Sequence, residues 1–236
     1  LATEGANVTL FARNKEKLQQ VLQELPRREN QQHKILIGDF SNPDEIKDVI
    51  TEHMKNHQGY HILVNNTGGP AGGPIQKAAV HEFEHAFQQH LLCNHVLVQA
   101  LLDGMKKANY GRIINIISTS VKQPLDGLGV SNTIRAAVAN WSKTMANELG
   151  QYGITVNNVL PGATATERLH EIVQNKAKKT SSSTQQAEER MKASIPAGRF
   201  AKPEEIAAAV TFLASNQAAY INGINLPVDG GRTKSL

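Results

Sequence analysis

Short apolar runs alternating with longer helical stretches constrain this chain more than any other feature. Residues 33–38 (HKILIG), 61–65 (HILVN), 113–117 (IINII) and 154–160 (ITVNNVL) suit buried parallel strands and are too short for ordinary helices. Residues 7–12 (NVTLFA) and 223–229 (GINLPVD) read as further strands. Between them, residues 15–25 place Leu18, Val21, Leu22 and Leu25 on one face before Pro26 stops the helix. Residues 131–149 return Ile134, Val138, Trp141, Met145 and Leu149 at intervals of three or four, with Ala136, Ala137, Ala139 and Ala146 between them. Further helices are expected from Ser41 through about Asn56, across 83–105 and across 203–215. Regular strand and helix alternation gives an α/β fold, a doubly wound parallel sheet, in one domain spanning residues 1–236. Such sheets bind ligands in a crevice at the carboxyl ends of their strands. The hydroxyls of Ser118, Thr119 and Ser120 follow one such end.

Composition narrows the chemistry. Cys93 is the one cysteine, so no internal disulfide can form and a Cys-based zinc site is excluded. The nine His are neither paired with carboxylates nor set at ligand spacing, so no metal is expected. Net charge is +4, yet Lys and Arg are scattered among acids and form no basic stripe with interleaved aromatics, which argues against a nucleic-acid partner. No apolar run approaches the ~20 residues of a spanning helix, and the first residues do not resemble a signal peptide. A cytoplasmic protein without membrane contact is expected. Residues 163–195 are polar and rich in Lys, Ser and Thr, and read as a solvated lid over the substrate, with 176–183 (KAKKTSSS) its most mobile part.

Four motifs stand in order along the chain: Asn65-Asn66-Thr67-Gly68; residues 111–118 (GRIINIIS); Pro161-Gly162 with Thr166 four on; and Gly198-Arg199 through Pro203-Glu204-Glu205 to Asp229-Gly230-Gly231. With these, residues 1–231 resemble the short-chain dehydrogenase/reductase family, in the subgroup of 3-oxoacyl-[acyl-carrier-protein] reductases. The resemblance implies a Rossmann-like sheet, a nicotinamide cofactor, a small-molecule carbonyl or alcohol substrate, and a homo-oligomer, dimer or tetramer, built on the helices containing Phe87 and Trp141. It also implies a first strand and a Gly-rich turn cradling the pyrophosphate. Residues 1–6 read instead as a helix tail capped by Gly5, so the sequence is expected to lack that strand and turn.

On the cofactor side, the resemblance places Arg13, Asn14, Asp39, Phe40, Asn65, Gly68, Arg135, Pro161, Gly162 and Thr166. Relatives that prefer NAD carry an acid where this chain has Ala12, followed by Arg13. An Arg without a nearby carboxylate suits a 2′-phosphate, so NADP is expected in preference to NAD. Asn65 is equally well read as a tie between neighbouring strands. On the catalytic side the family uses a Ser, a Tyr thirteen residues later, a Lys four after the Tyr, and an upstream Asn. Ser118 fills the first role, while Ser131, Arg135 and His90 occupy the other three positions. An aliphatic hydroxyl gives up its proton far less readily than a phenol, and Arg stays charged, so Ser131 and Arg135 are poor proton handlers. His90 and the loop residue Lys122 are the other candidate donors. A reductase of modest rate and a nucleotide-binding sensor or scaffold without useful turnover both remain open.

Overall fold

The computed structural model describes residues 1–28, 30–57 and 59–235. Its strands are all parallel and form two ladders. The smaller pairs β1 (Thr9–Ala12) with β2 (Lys34–Ile37); the larger runs in the order β3 (Ile62–Asn65), β4 (Gly111–Ile116), β5 (Ile154–Pro161) and β6 (Asn225–Val228). The expected single sheet is therefore interrupted, with no ladder joining β1 to β3 among the described residues. Side chains span the break. The Tyr60 hydroxyl donates to Thr9 Oγ1 (2.8 Å) and bonds His53 Nε2 (2.7 Å), and one core takes Phe11 and Leu36 from the small ladder and Leu63, Ile113 and Val156 from the large one.

The large sheet is covered on both faces. Helices α2 (Pro43–Met54), α4 (Cys93–Ala108) and α5 (Gly129–Leu149) cover one, and α8 (Pro203–Ala214) covers the other. Neighbours on β4 show the alternation, since Ile113 enters the first core and Ile114 the second. Runs such as IINII are apolar throughout because both sides of the strand are buried. The small ladder is different: Lys34 and Ile37 of β2 are exposed, because an edge strand in a two-stranded ladder is covered less completely than a central one. Helix α1 (Lys15–Glu24) is capped by Asn14, whose Oδ1 accepts from Lys17 N–H at 2.9 Å. Gly5, at φ +93°, ends the opening turn: Ala6 N–H bonds Leu1 C=O and Gly5 N–H bonds Ala2 C=O, the double bond of a left-handed helix cap.

Three expectations change. The helix expected across 83–105 is α3 (Val80–Phe87), a π turn (Gln88–Leu92) and α4. One wide turn leaves the 3.6-residue spacing of apolar positions almost intact, so the sequence pattern conceals it. Residues 163–195 carry two helices that the polar composition did not announce, α6 (Glu167–Lys179) and α7 (Thr184–Ala193), so residues 176–179 of the stretch read as most mobile are helical. Leu169, Val173 and Ala177 recur every four residues and pack on Ala187, Met191 and Phe200, a stripe narrow enough to be lost in the polar composition. Finally, α5 starts at Gly129, two residues before Ser131, and Gly73 and Gly127 bond across the crevice (Gly73 N–H to Gly127 C=O, 2.7 Å).

Candidate active site

Strands β3 to β6 each carry an asparagine at one rung, which falls at or next to the carboxyl ends of β3 and β4, in the middle of β5 and at the start of β6. Asn65 pairs in register with Asn115, Asn115 with Asn158, and Asn158 with Asn225. Each Nδ2 donates to the next Oδ1, at 2.8, 3.0 and 2.8 Å, and the Ser142 hydroxyl of α5 joins at Asn115 (2.9 Å) and Asn158 (2.8 Å). This polar rung, buried at Asn65, Asn115 and Asn158 and half-buried at Asn225, ties the four strands together, so Asn65 is a strand tie. Its Oδ1 is left without a partner among the described residues. Asn115, Asn158 and Asn225 were legible only as polar residues interrupting apolar runs.

Above the rung, Arg135 of α5 reaches down between two strand ends. Its Nη1 donates to Ile116 C=O (2.9 Å) and its Nη2 to Thr67 C=O (3.4 Å), and its residue is only 7% exposed. Burial lowers its pKa to about 10, still far above neutrality, so a permanent cation faces this end of the sheet. Ser118, two residues past Ile116, accepts the Ser120 N–H at 3.1 Å, and an oxygen already used as acceptor keeps its own proton to donate. Ser131 lies half-buried in the first turn of α5, one helical turn before Arg135. Lys122 follows the short 3₁₀ turn Thr119–Val121, and its C=O accepts from Ser235 Oγ (3.4 Å). Arg135 thus bridges the ends of β3 and β4 beside Ser118, and Ser131 stands one turn before it on α5.

His90 sits inside the π turn, 1% exposed, with Nδ1 in a short hydrogen bond to Thr67 Oγ1 and Nε2 unpartnered among the described residues. Burial first, then the Arg135 charge, then His85, lower its pKa to about 3, so the ring is neutral at ordinary pH. Its hydrogen bond toward the crevice is to Thr67, which the sequence shows as one member of the Asn65-Asn66-Thr67-Gly68 motif, a hydroxyl set among glycines directly after a strand.

At the other end of the crevice, Arg13 leaves β1 with its side chain 76% exposed. The expectation that it stands without a carboxylate is corrected: Asp39 Oδ2 lies 3.7 Å from its Nη1. The two ends of the parallel β1 and β2 bring these residues side by side, which residue order alone does not display. The Asp39 carboxyl is held below its usual range by hydrogen bonds from Ser41, with Arg13 a smaller contributor. An ion pair this exposed is weak and opens readily to a phosphate. Phe40 turns into the core, edge-on to Phe11, and its C=O accepts from Cys93 Sγ. Asn14 and Thr166 both serve as helix caps, Thr166 Oγ1 accepting from Leu169 N–H of α6. Gly162 is a packing requirement, since a Cβ there would lie 2.7 Å from Asp229 Cα, whereas Gly68 borders open space. A dinucleotide fits this donor set at its two ends: an exposed cation for a 2′-phosphate at Arg13, and crevice-edge hydroxyls with a buried cation at the other.

A family model described as enoyl-(acyl carrier protein) reductase matches residues 1–233. The NADPH-dependent reductase BacG of Bacillus subtilis is 30% identical over 237 residues, covering 100% of this chain and 92% of BacG. The chain belongs to the short-chain dehydrogenase/reductase family of oxidoreductases. Other members include the 3-oxoacyl-[acyl-carrier-protein] reductase FabG of Vibrio cholerae, 35% identical over 193 residues, covering 81% of this chain and 74% of FabG. Among solved members, the bacilysin-biosynthesis reductase YwfH superposes with a TM-score of 0.93 at 29% identity, covering 100% of this chain and 91% of that one. The L-sorbose reductase of Gluconobacter frateurii, solved with NADPH and L-sorbose, gives 0.91 at 29% identity, covering 100% and 90%. Among the described residues no helix is long and apolar enough to cross a membrane.

Proposed function

We propose that the chain is an NADP(H)-dependent oxidoreductase interconverting a carbonyl and an alcohol on a small molecule of the 3-oxoacyl kind, working as a homodimer or homotetramer. One observation carries the reading. The Ser118 hydroxyl and the buried Arg135 cation, which bonds Ile116 C=O two residues before that serine, stand at one strand end in a chain matched from end to end by proteins named as NADPH-dependent reductases. The bound cofactor supplies or accepts the hydride. Arg13 holds its 2′-phosphate, exchanging a weak contact with Asp39 for a stronger one, and NADP is favoured over NAD on that account. Ser118 donates its hydroxyl proton to the carbonyl oxygen as a hydrogen bond. Arg135 cannot pass a proton on, but its fixed charge stabilises the alkoxide that develops.

Ser131 is a weak acid, so the alkoxide is protonated slowly, by Ser131, by Lys122 or by water. Turnover is modest because a well-matched general acid contributes about 10²- to 10⁴-fold that this site forgoes. A second reading, a nucleotide-binding sensor or scaffold without turnover, is favoured by Arg135, whose guanidinium already serves two main-chain carbonyls. The two separate in one experiment: titrate NADPH by fluorescence, then follow its absorbance with 3-oxoacyl esters, diketones and sugar-derived ketones. Oxidation that disappears in Ser118→Ala supports the reductase; binding with no oxidation across the panel supports the sensor.

A further inference from the structure

We propose that the Thr67 hydroxyl is a second hydrogen-bond donor to the substrate oxygen, and that His90 is the positioning residue that aims it. This rests on the carbonyl-reducing reading above. Asn65 and Asn115 are register partners on adjacent strands, so Thr67, two residues past the first, leaves the sheet beside Ile117 and Ser118. Neighbouring strands lie about 4.8 Å apart, close enough for two hydroxyls on their ends to share one ligand oxygen. Arg135 fixes the pair by bonding both Thr67 C=O and Ile116 C=O. Thr67 is half-buried on the rim, whereas its partner His90 lies wholly beneath it.

The direction of the Thr67 proton follows from the imidazole's tautomer. A neutral ring has one N–H and one lone pair. Were the proton on Nε2, a buried donor would be orphaned, in the field of the Arg135 charge. With the proton on Nδ1, that ring nitrogen donates to Thr67 Oγ1, and the Nε2 lone pair faces the cation's favourable potential. The second arrangement costs less. It makes the Thr67 oxygen an acceptor from His90 and leaves its proton for the crevice, as the Ser120 N–H does for Ser118. The depressed basicity of His90 keeps the ring in this neutral form. No proton is transferred by either residue; the alkoxide is held between Thr67 and Ser118 with Arg135 below.

The test measures kcat, KM for NADPH and the NADPH dissociation constant in wild type, Thr67→Val, Thr67→Ser, His90→Phe and the Thr67→Val/His90→Phe pair. Thr67→Val is expected to lower kcat about 10²-fold with NADPH affinity unchanged, the scale of losing one oxyanion donor. Thr67→Ser should restore most of the rate. His90→Phe should match Thr67→Val, and the double variant should be no slower than either. An unchanged kcat in Thr67→Val, or a weakened NADPH affinity in place of a slower rate, overturns the donor role. Additive losses overturn the aiming role. Should His90→Phe fail to fold, ¹⁵N-His spectra of wild type decide the tautomer: protonated Nδ1 is expected, and protonated Nε2 refutes the proposal. A wild type that binds NADPH and reduces nothing sinks the reductase reading and the donor role together; one that turns over but ignores Thr67→Val sinks only the latter.

Discussion

Burial of His90 makes this protein sensitive to acid at one identifiable position. The imidazole is 1% exposed and its pKa is lowered to about 3, against 6.5 in the unfolded chain. Because the folded value is the lower one, the unfolded state binds the proton more readily between the two. The His90 contribution to stability is therefore whole above pH 6.5 and is lost as pH falls from 6.5 toward 3. Each unit is worth about 1.4 kcal/mol, so roughly 2 kcal/mol is lost between pH 7.5 and pH 5. His53 and His57 shift in the same direction, mainly through burial, and the lowered carboxyls of Asp39, Asp229 and Glu205 act further down the scale. A difference measurement removes these shared contributions. Urea unfolding of wild type and His90→Asn, followed by circular dichroism at pH 7.5, 6.5, 5.5 and 5.0, should show wild type losing about 2 kcal/mol more than the variant across the range. Parallel curves would mean that His90 is hydrated or charged in the folded protein, and the burial argument would fail.

Asn115→Ala should destabilise the protein by about 3 kcal/mol, because it strands the Asn65 amide and removes donors to Asn158 and Ser142; a loss under ~1 kcal/mol in urea unfolding would show that the rung is not cooperative. Gly129→Ala places a Cβ 2.4 Å from Ile75 Cβ and 2.7 Å from its Cα. The strain of about 2 kcal/mol should lower Tm by roughly 4 to 8 °C, and an unchanged Tm would mean that residues 72–75 move freely. Arg13→Ala should weaken NADPH about tenfold and leave NADH untouched; equal losses for both would place the 2′-phosphate elsewhere. Ser131→Tyr should raise kcat if proton supply limits the rate, and a constant or lower kcat tells against that account.

Fold class, strand identity and most helix bounds could be read before the structure because they are local: a run such as ITVNNVL carries its own period, and Asn14 or Thr166 its own cap. The family resemblance, not a local signal, singled out Ser118, Ser131 and Arg135. Neither could show that Asp39 lies beside Arg13, or that residues 163–195 are two packed helices, since both depend on which elements become neighbours.

The sequence by itself determined that strands and helices alternate and that Ser131 and Arg135 are residue types poor at handling protons, because residue type and order settle those points. Only the tertiary structure decided that four asparagines meet at one rung, that Arg135 bolts two strand ends together, and that a buried His90 is hydrogen-bonded to Thr67. Parallel strands pair residues 25 to 67 positions apart. A side chain's partner, burial and proton affinity are set by that pairing, and no window along the chain contains it.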